Sequence, residues 1–208
     1  MTPEKKLTVV CMGDSVTKGF GLEDVTCTYP FLLQEFLEEN YSVVNKGSSC
    51  GCIIQNQDNK TYIPYTHQDC YKEALALCGD IYLLMFGTDD ALGAYPSPES
   101  EFEACYQAIA QEMRTALPES SIFIVTPIPV SPCLSNKPIE GRLKHLLPHI
   151  AAVAANGRLP LIDLHDELSR LPEEKLAAAY QDDGIHPNVQ GAMLIAATLA
   201  YAIGNRIY

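Results

Sequence analysis

The chain reads as an α/β protein, a three-layer sandwich around a central parallel sheet of about five strands. Three observations predict this. Short apolar runs recur along the chain, segments of helical spacing separate them, and polar or glycine-rich turns follow the runs. With 208 residues and 47% hydrophobic content the chain can bury a substantial core. No linker-like stretch or shift of composition divides it, so a single domain over residues 1–208 is expected.

Leu7 to Met12, ending at Gly13, is the first expected strand, by its length and β-branched content. Tyr29 to Glu38 then has helical spacing, and Tyr41 to Val44 is the second strand. A helix around Gln68 to Leu77 leads to a strand at Ile81 to Phe86. Ser97-Pro98-Glu99 suits a helix start, because proline is tolerated in a first turn, and the helix is expected over Ser100 to Leu117. Ser121 to Thr126 and Leu159 to Leu164 complete the strands, separated by a helix over Ile139 to Ala155. Pro187-Asn188 starts the last helix, Asn188 to Ile203. Such alternation implies right-handed crossovers and helices on both faces of the sheet. Ligands then gather at the carboxyl ends of the strands. Gly13-Asp14-Ser15, Asn45 to Gly51 and Gly87-Thr88-Asp89-Asp90 all follow strands, and a loop carrying His186 can join them at one rim.

Composition narrows the function. A formal charge of -12 without a Lys/Arg cluster disfavours nucleic acid, and a neutral or small ester suits it better. No apolar stretch reaches membrane-spanning length, and Met1 to Leu7 lacks the pattern of a secretory leader, so the cytoplasm is the default expectation. Eight cysteines then read as reduced thiols, with Cys11, Cys78 and Cys105 as small core residues. Cys50, Cys52, His67 and Cys70 offer four soft ligands, but their spacing matches no common zinc module, and a free-thiol loop is the preferred reading.

A serine becomes a nucleophile when histidine takes its proton and a carboxylate steadies that histidine. Asp183 and His186, three apart around Gly184, can aim together at Ser15. Taken singly, Ser15 would be a helix cap and His186 a surface residue; their joint occurrence with the loop pattern favours chemistry. Gly47-Ser48-Ser49-Cys50-Gly51 has nucleophile-elbow spacing, yet only two strands precede it and a poor helix opening follows, so Ser49 is the lesser candidate. Asp163 and His165 read as polar residues closing a strand. His145 and His149 stand one helical turn apart, but Pro148 interrupts their segment and no acidic third ligand stands nearby.

These blocks resemble the SGNH, or GDSL-type, hydrolase superfamily over nearly the whole chain. Gly13-Asp14-Ser15-Val16-Thr17-Lys18-Gly19 looks like its first block and Asp183-Gly184-Ile185-His186-Pro187-Asn188 like its last. The resemblance implies that Ser15 is the nucleophile and a backbone oxyanion donor, with Asp183 and His186 completing the triad, and that no metal or organic cofactor is needed. It also implies a second-block amide, from Cys50 or, by a slip of one residue, Gly51. The third block commonly carries an oxyanion Asn, where this chain has Asp89. An ionised carboxylate there repels the charge it should stabilise, and losing one donor costs about 2.7 to 4 kcal/mol of barrier. Burial and the adjacent Asp90 would push Asp89 toward a neutral, donating form. The alternative is a catalytically weakened or inactive carbohydrate-binding relative. Thr126-Pro127-Ile128-Pro129 and the Asp-Gly-Ile-His-Pro-Asn ending look like the carbohydrate O-acetylesterase branch, including sialate O-acetylesterase-like proteins. That implies a small acyl group, most simply acetyl, on a sugar.

Overall fold

The computed structural model describes residues 6–54, 61–92 and 99–207. In chain order its main elements are β1 (Leu7–Gly13), α1 (Ser15–Lys18), α2 (Tyr29–Leu37), β2 (Tyr41–Gly47), β3 (Gly51–Cys52), β4 (Ile63–Pro64), α3 (Asp69–Ala76), β5 (Ile81–Met85) and α4 (Thr88–Leu92). They continue with α5 (Glu99–Ala116), β6 (Ser121–Val125), α6 (Pro138–Gly157), β7 (Leu161–Ile162), α7 (Leu164–Ser169), α8 (Glu173–Ala177) and α9 (Val189–Ile207).

Five strands pair in the order β2-β1-β5-β6-β7, all parallel, as the alternation of strand and helix predicts. Successive residues of one strand face opposite sides. Val10 and Met12 of β1 therefore join Tyr82, Leu84, Ile122 and Ile124 in a core shared with α3, α5 and α6. Val9 and Cys11 join Leu83, Met85, Phe123 and Val125 in a second core against α2, α7 and α9. Burial on both faces is why these strands read as continuous apolar runs.

The strand order reverses direction between β1 and β5, the kind of switch point outside whose carboxyl ends ligands gather in such sheets. Register brings the three loops level: Gly13 pairs with Gly47 on one side and Met85 on the other. The loops are then tied together. Ser48 N donates to Gly13 O at 3.0 Å, Asn45 Nδ2 donates to Thr17 O at 2.9 Å, and Asn45 Oδ1 accepts from Gly47 N at 2.8 Å.

Several details differ from the sequence reading. β7 is only Leu161–Ile162, because Pro160 can supply its carbonyl to Ile124 but no N–H, and Asp163 turns away to cap α7 through Asp166 N at 3.1 Å. Pro148 lies inside α6 without ending it; the residue is exposed, so the missing hydrogen bond faces water. Cys78 is exposed rather than in the core, since it occupies a left-handed turn position (φ 46°) between α3 and β5. Cys11 is buried and Cys105 packs partly buried against the first core, as expected. The short parallel pair β3-β4 was not anticipated. Asn188 caps α9 by accepting from Gln190 N at 2.9 Å and Gly191 N at 3.2 Å, whereas Ser97 and Pro98 lie outside the described residues.

Gly47 is where packing and site meet. A Cβ there would stand 2.2 Å from Lys18 N and 2.5 Å from Thr17 C, both backbone atoms at the end of α1, the helix that Ser15 opens. Gly47→Ala is expected to cost roughly 1–3 kcal/mol of stability, read as a lower urea midpoint, and to lower activity in the fraction that stays folded. An unchanged midpoint would show that the two loops can part without penalty.

Candidate active site

Ser15 opens the one-turn helix α1, immediately after β1. Its placement depends on Asp14, a buried carboxylate whose Oδ1 accepts from Val16 N at 3.0 Å and whose Oδ2 accepts from Thr88 N at 3.1 Å. One side chain thus caps α1 and ties the loop after β1 to the start of α4. Asp90 performs a similar task for the loop beyond β2, accepting from Ile53 N at 3.0 and 3.1 Å and from Ile54 N at 3.0 Å.

The turn before α9 supplies the other two groups. Gly184, at φ 69°, makes the bend, and Asp183 Oδ1 accepts from Ile185 N and His186 N, both at 2.9 Å. Asp183 Oδ2 lies 2.6 Å from His186 Nδ1, and His186 Nε2 lies 2.8 Å from Ser15 Oγ. With a proton on Nδ1 facing the carboxylate, the free Nε2 accepts from the serine hydroxyl, a tautomer assigned from the network of contacts. Burial works to raise the Asp183 carboxyl, but the His186 ring and the two amides outweigh it and hold it below the ordinary carboxylate range. Ser15, Asp183 and His186 are therefore brought into one hydrogen-bonded row.

Asp89 faces the same serine. Its Oδ1 lies 3.5 Å from Ser15 Oγ, at the limit of a hydrogen bond, while Oδ2 is buried with no hydrogen-bond partner among the described residues. The side chain is 2% exposed. Burial first, then the charges of Asp14 and Asp90, push the Asp89 carboxyl up to about 8, against the opposing pull of the Ser15 amide and hydroxyl. Burial likewise raises Asp14 to about 6 and Asp90 to about 7, even though each accepts backbone amides. Cys50 and Tyr62 sense the same site: burial, then the Asp89 charge, raises both, and Arg142 acts on Tyr62 in the opposite sense.

The second-block residues differ in availability. Gly51 N donates to Ser48 O at 3.1 Å, whereas Cys50, at φ 60°, has an amide without an acceptor among the described residues. Ser49 is exposed, no histidine partners it among the described residues, and the chain after it forms β3 instead of the helix an elbow requires.

The remaining candidates disperse. Among the described residues no three His, Cys, Asp or Glu side chains gather as a metal site, and all eight cysteines are free thiols. Cys52 is buried with its thiol on Ile54 O at 3.3 Å, while the segment between it and His67 lies partly outside the described residues. Acidic partners do stand near the paired histidines, because α5 packs on α6: His149 Nδ1 meets Glu103 Oε2 at 2.6 Å and His145 Nδ1 meets Glu99 Oε1 at 3.8 Å. Asp163 accepts from Thr126 Oγ1 at 3.0 Å and takes no bond from His165. A groove of about 570 Å³ lined by Phe36, Leu171, Met193 and Leu194 touches none of the site residues.

Sequence reasoning missed Phe20, whose ring packs against His186 with centroids 4.7 Å apart. Its position between Gly19 and Gly21 was the only hint, since both glycines have positive φ and shape a projecting turn.

A carboxyl that keeps its proton in the fold but loses it in the unfolded chain makes the folded state the better proton binder between the two values, so stability falls as pH rises across that interval. For Asp89 the interval runs from the ordinary 3.8 to about 8, and Asp14 and Asp90 act in the same sense. Asp183 has the opposite sign, but its contribution is lost only below the ordinary carboxylate range. Tm is therefore expected to fall from about pH 5 to about pH 8, with Asp89→Asn flattening the upper part of the slope. A Tm that rises over that range would show the three carboxyls ionised in the folded protein.

Residues 11–194 match the model of the GDSL-like Lipase/Acylhydrolase family. An acetylxylan esterase from Xylanibacter ruminicola is 30% identical over 96% of this chain, which spans 44% of that relative's length. Two solved structures share the fold: a lipase/acylhydrolase from Enterococcus faecalis (TM-score 0.74, 22% identity, 96% of each chain) and Est24, a carbohydrate acetylesterase from Sinorhizobium meliloti (TM-score 0.75, 17% identity, 96% of this chain and 99% of that one).

Proposed function

Because the chain belongs to the GDSL-like lipase/acylhydrolase family, whose members are carboxylic ester hydrolases, we propose that it removes small acyl groups, most simply acetyl, from carbohydrate. The observation that carries the mechanism is the row from Asp183 Oδ2 through His186 to Ser15 Oγ, with contacts of 2.6 and 2.8 Å. The acetyl group and the sugar are supported by what the Xylanibacter ruminicola relative and Est24 are described as acting on.

In this reading Ser15 Oγ attacks the ester carbonyl carbon while His186 Nε2 takes the hydroxyl proton. Asp183 orients the ring and steadies the imidazolium. Collapse of the tetrahedral intermediate breaks the bond to the sugar oxygen, which leaves with the proton from His186. Water, deprotonated by the same nitrogen, then attacks acetyl-Ser15; the acyl bond to Oγ breaks, acetate leaves and Ser15 Oγ takes back the proton from His186.

The oxyanion falls to the amides of Ser15 and Cys50 and to Asp89. Cys50 is favoured over Gly51 because the Gly51 amide is already engaged by Ser48. Asp89 serves as a neutral acid. Its unpartnered Oδ2 carries the proton, and the tetrahedral oxyanion is the acceptor that this oxygen lacks at rest. A buried acid kept protonated by neighbouring carboxylates can donate where an ionised one would repel.

Ser15→Ala is expected to reduce p-nitrophenyl acetate hydrolysis by about 10⁴-fold or more, while Ser49→Ala stays near the parent rate. Loss with Ser49→Ala alone would move the nucleophile to the second block, and a parent without turnover would favour a carbohydrate-binding relative. For Asp89, kcat/KM is expected to decline above about pH 8 as the carboxyl ionises, and Asp89→Asn, a donor at every pH, to abolish that decline. The neutral-acid role is wrong if Asp89→Asn leaves both the rate and the alkaline limb as they were.

A further inference from the structure

We propose that the exposed ring of Phe20 is the platform on which the pyranose ring bearing the ester lies. This rests on the carbohydrate reading above and specifies how the sugar is held.

A single exposed aromatic is ordinary, but Phe20 is held in place by the site itself. Its ring is half exposed, at 52%, and tilted 41° against the His186 imidazole. Its amide donates to Ser15 O at 3.0 Å, at the end of the helix that carries the nucleophile. Its carbonyl accepts from Gln181 Nε2 at 2.8 Å, and the same nitrogen donates to Pro187 O at 3.0 Å. Gln181 N in turn donates to His186 O at 2.9 Å. The Phe20 backbone is thus held from one side by the Ser15 segment and from the other by the His186 turn, and its ring rests on the His186 imidazole. Gly21 makes this fit possible, since a Cβ there would stand 2.1 Å from Gln181 Oε1.

The chemistry says what should lie against it. The leaving oxygen must come within hydrogen-bond reach of His186 Nε2 to receive its proton. The sugar carbon bonded to that oxygen is one bond further, so the pyranose ring comes beside the imidazole against which the half-exposed Phe20 ring packs. A pyranose carries a face of axial C–H bonds, partly positive, that complements the negative face of an aromatic ring. The acetyl group needs no such surface.

The test compares parent, Phe20→Ala, Phe20→Tyr and Phe20→Leu on acetylated methyl β-D-xylopyranoside and on ethyl acetate, by titrating released acid. Ethyl acetate is the reference because p-nitrophenol has a ring that would itself stack. Phe20→Ala is expected to raise KM for the pyranoside about tenfold more than KM for ethyl acetate, with Tyr restoring the parent value and Leu failing to do so. An equal loss of kcat/KM on both esters would make Phe20 a positioning residue for His186 and overturn the platform while leaving the sugar reading intact. Full rescue by Leu would also overturn it. A parent that cleaves ethyl acetate but no acetylated pyranoside would remove the carbohydrate reading and the platform together.

Discussion

The buried carboxylate of Asp14 is the contact on which the site depends. β1 lies between β2 and β5, and the direction of strand order reverses beside it, so loops diverge from this point and something must hold them in register. Asp14 does so with one oxygen on the Val16 amide and the other on the Thr88 amide. The first bond aims Ser15 and the second brings Asp89 opposite it. Asp90 extends the arrangement to Ile53 and Ile54, next to Cys50. Backbone amides are suited to the task because they are rigid donors that would otherwise be left unpaired at short helix starts.

The same arrangement sets the electrostatics. Two carboxyls, Asp14 and Asp90, receive amide donors that favour their charged forms, and the third, Asp89, has few. Burial first, and then the charges of the first two, oppose ionisation of the third, so the groups that position the loops also add to the push that keeps Asp89 protonated. Stability is given up to do this, since burying three carboxyls in one cluster favours proton uptake on folding.

Much of this was legible in the residues. The strands at Leu7, Ile81 and Ser121 are buried on both faces and so stand out as apolar runs, and Ser15, Asp183 and His186, which the fold brings together, stand in short local patterns. What escaped was set by tertiary contact. Pro148 continues a helix because its unpaired carbonyl partner meets water, and β7 is short because Asp163 finds an amide to cap. Asp14 and Asp90 look like ordinary acids until the amides of distant segments are seen around them. For Phe20 the flanking glycines are the one local sign; its place beside His186 depends on Gln181, 161 residues away, which holds its carbonyl.

Ser15 and His186 are separated by 171 residues, nearly the full length of the chain. Ser15 and Asp89 follow β1 and β5 directly, whereas His186 comes from a turn outside the sheet. That turn is held by Asn188, whose Nδ2 donates to Ala178 O and Tyr180 O. In the proposed reading, local opening of the turn before α9 would therefore silence the serine while leaving the strands that carry it paired.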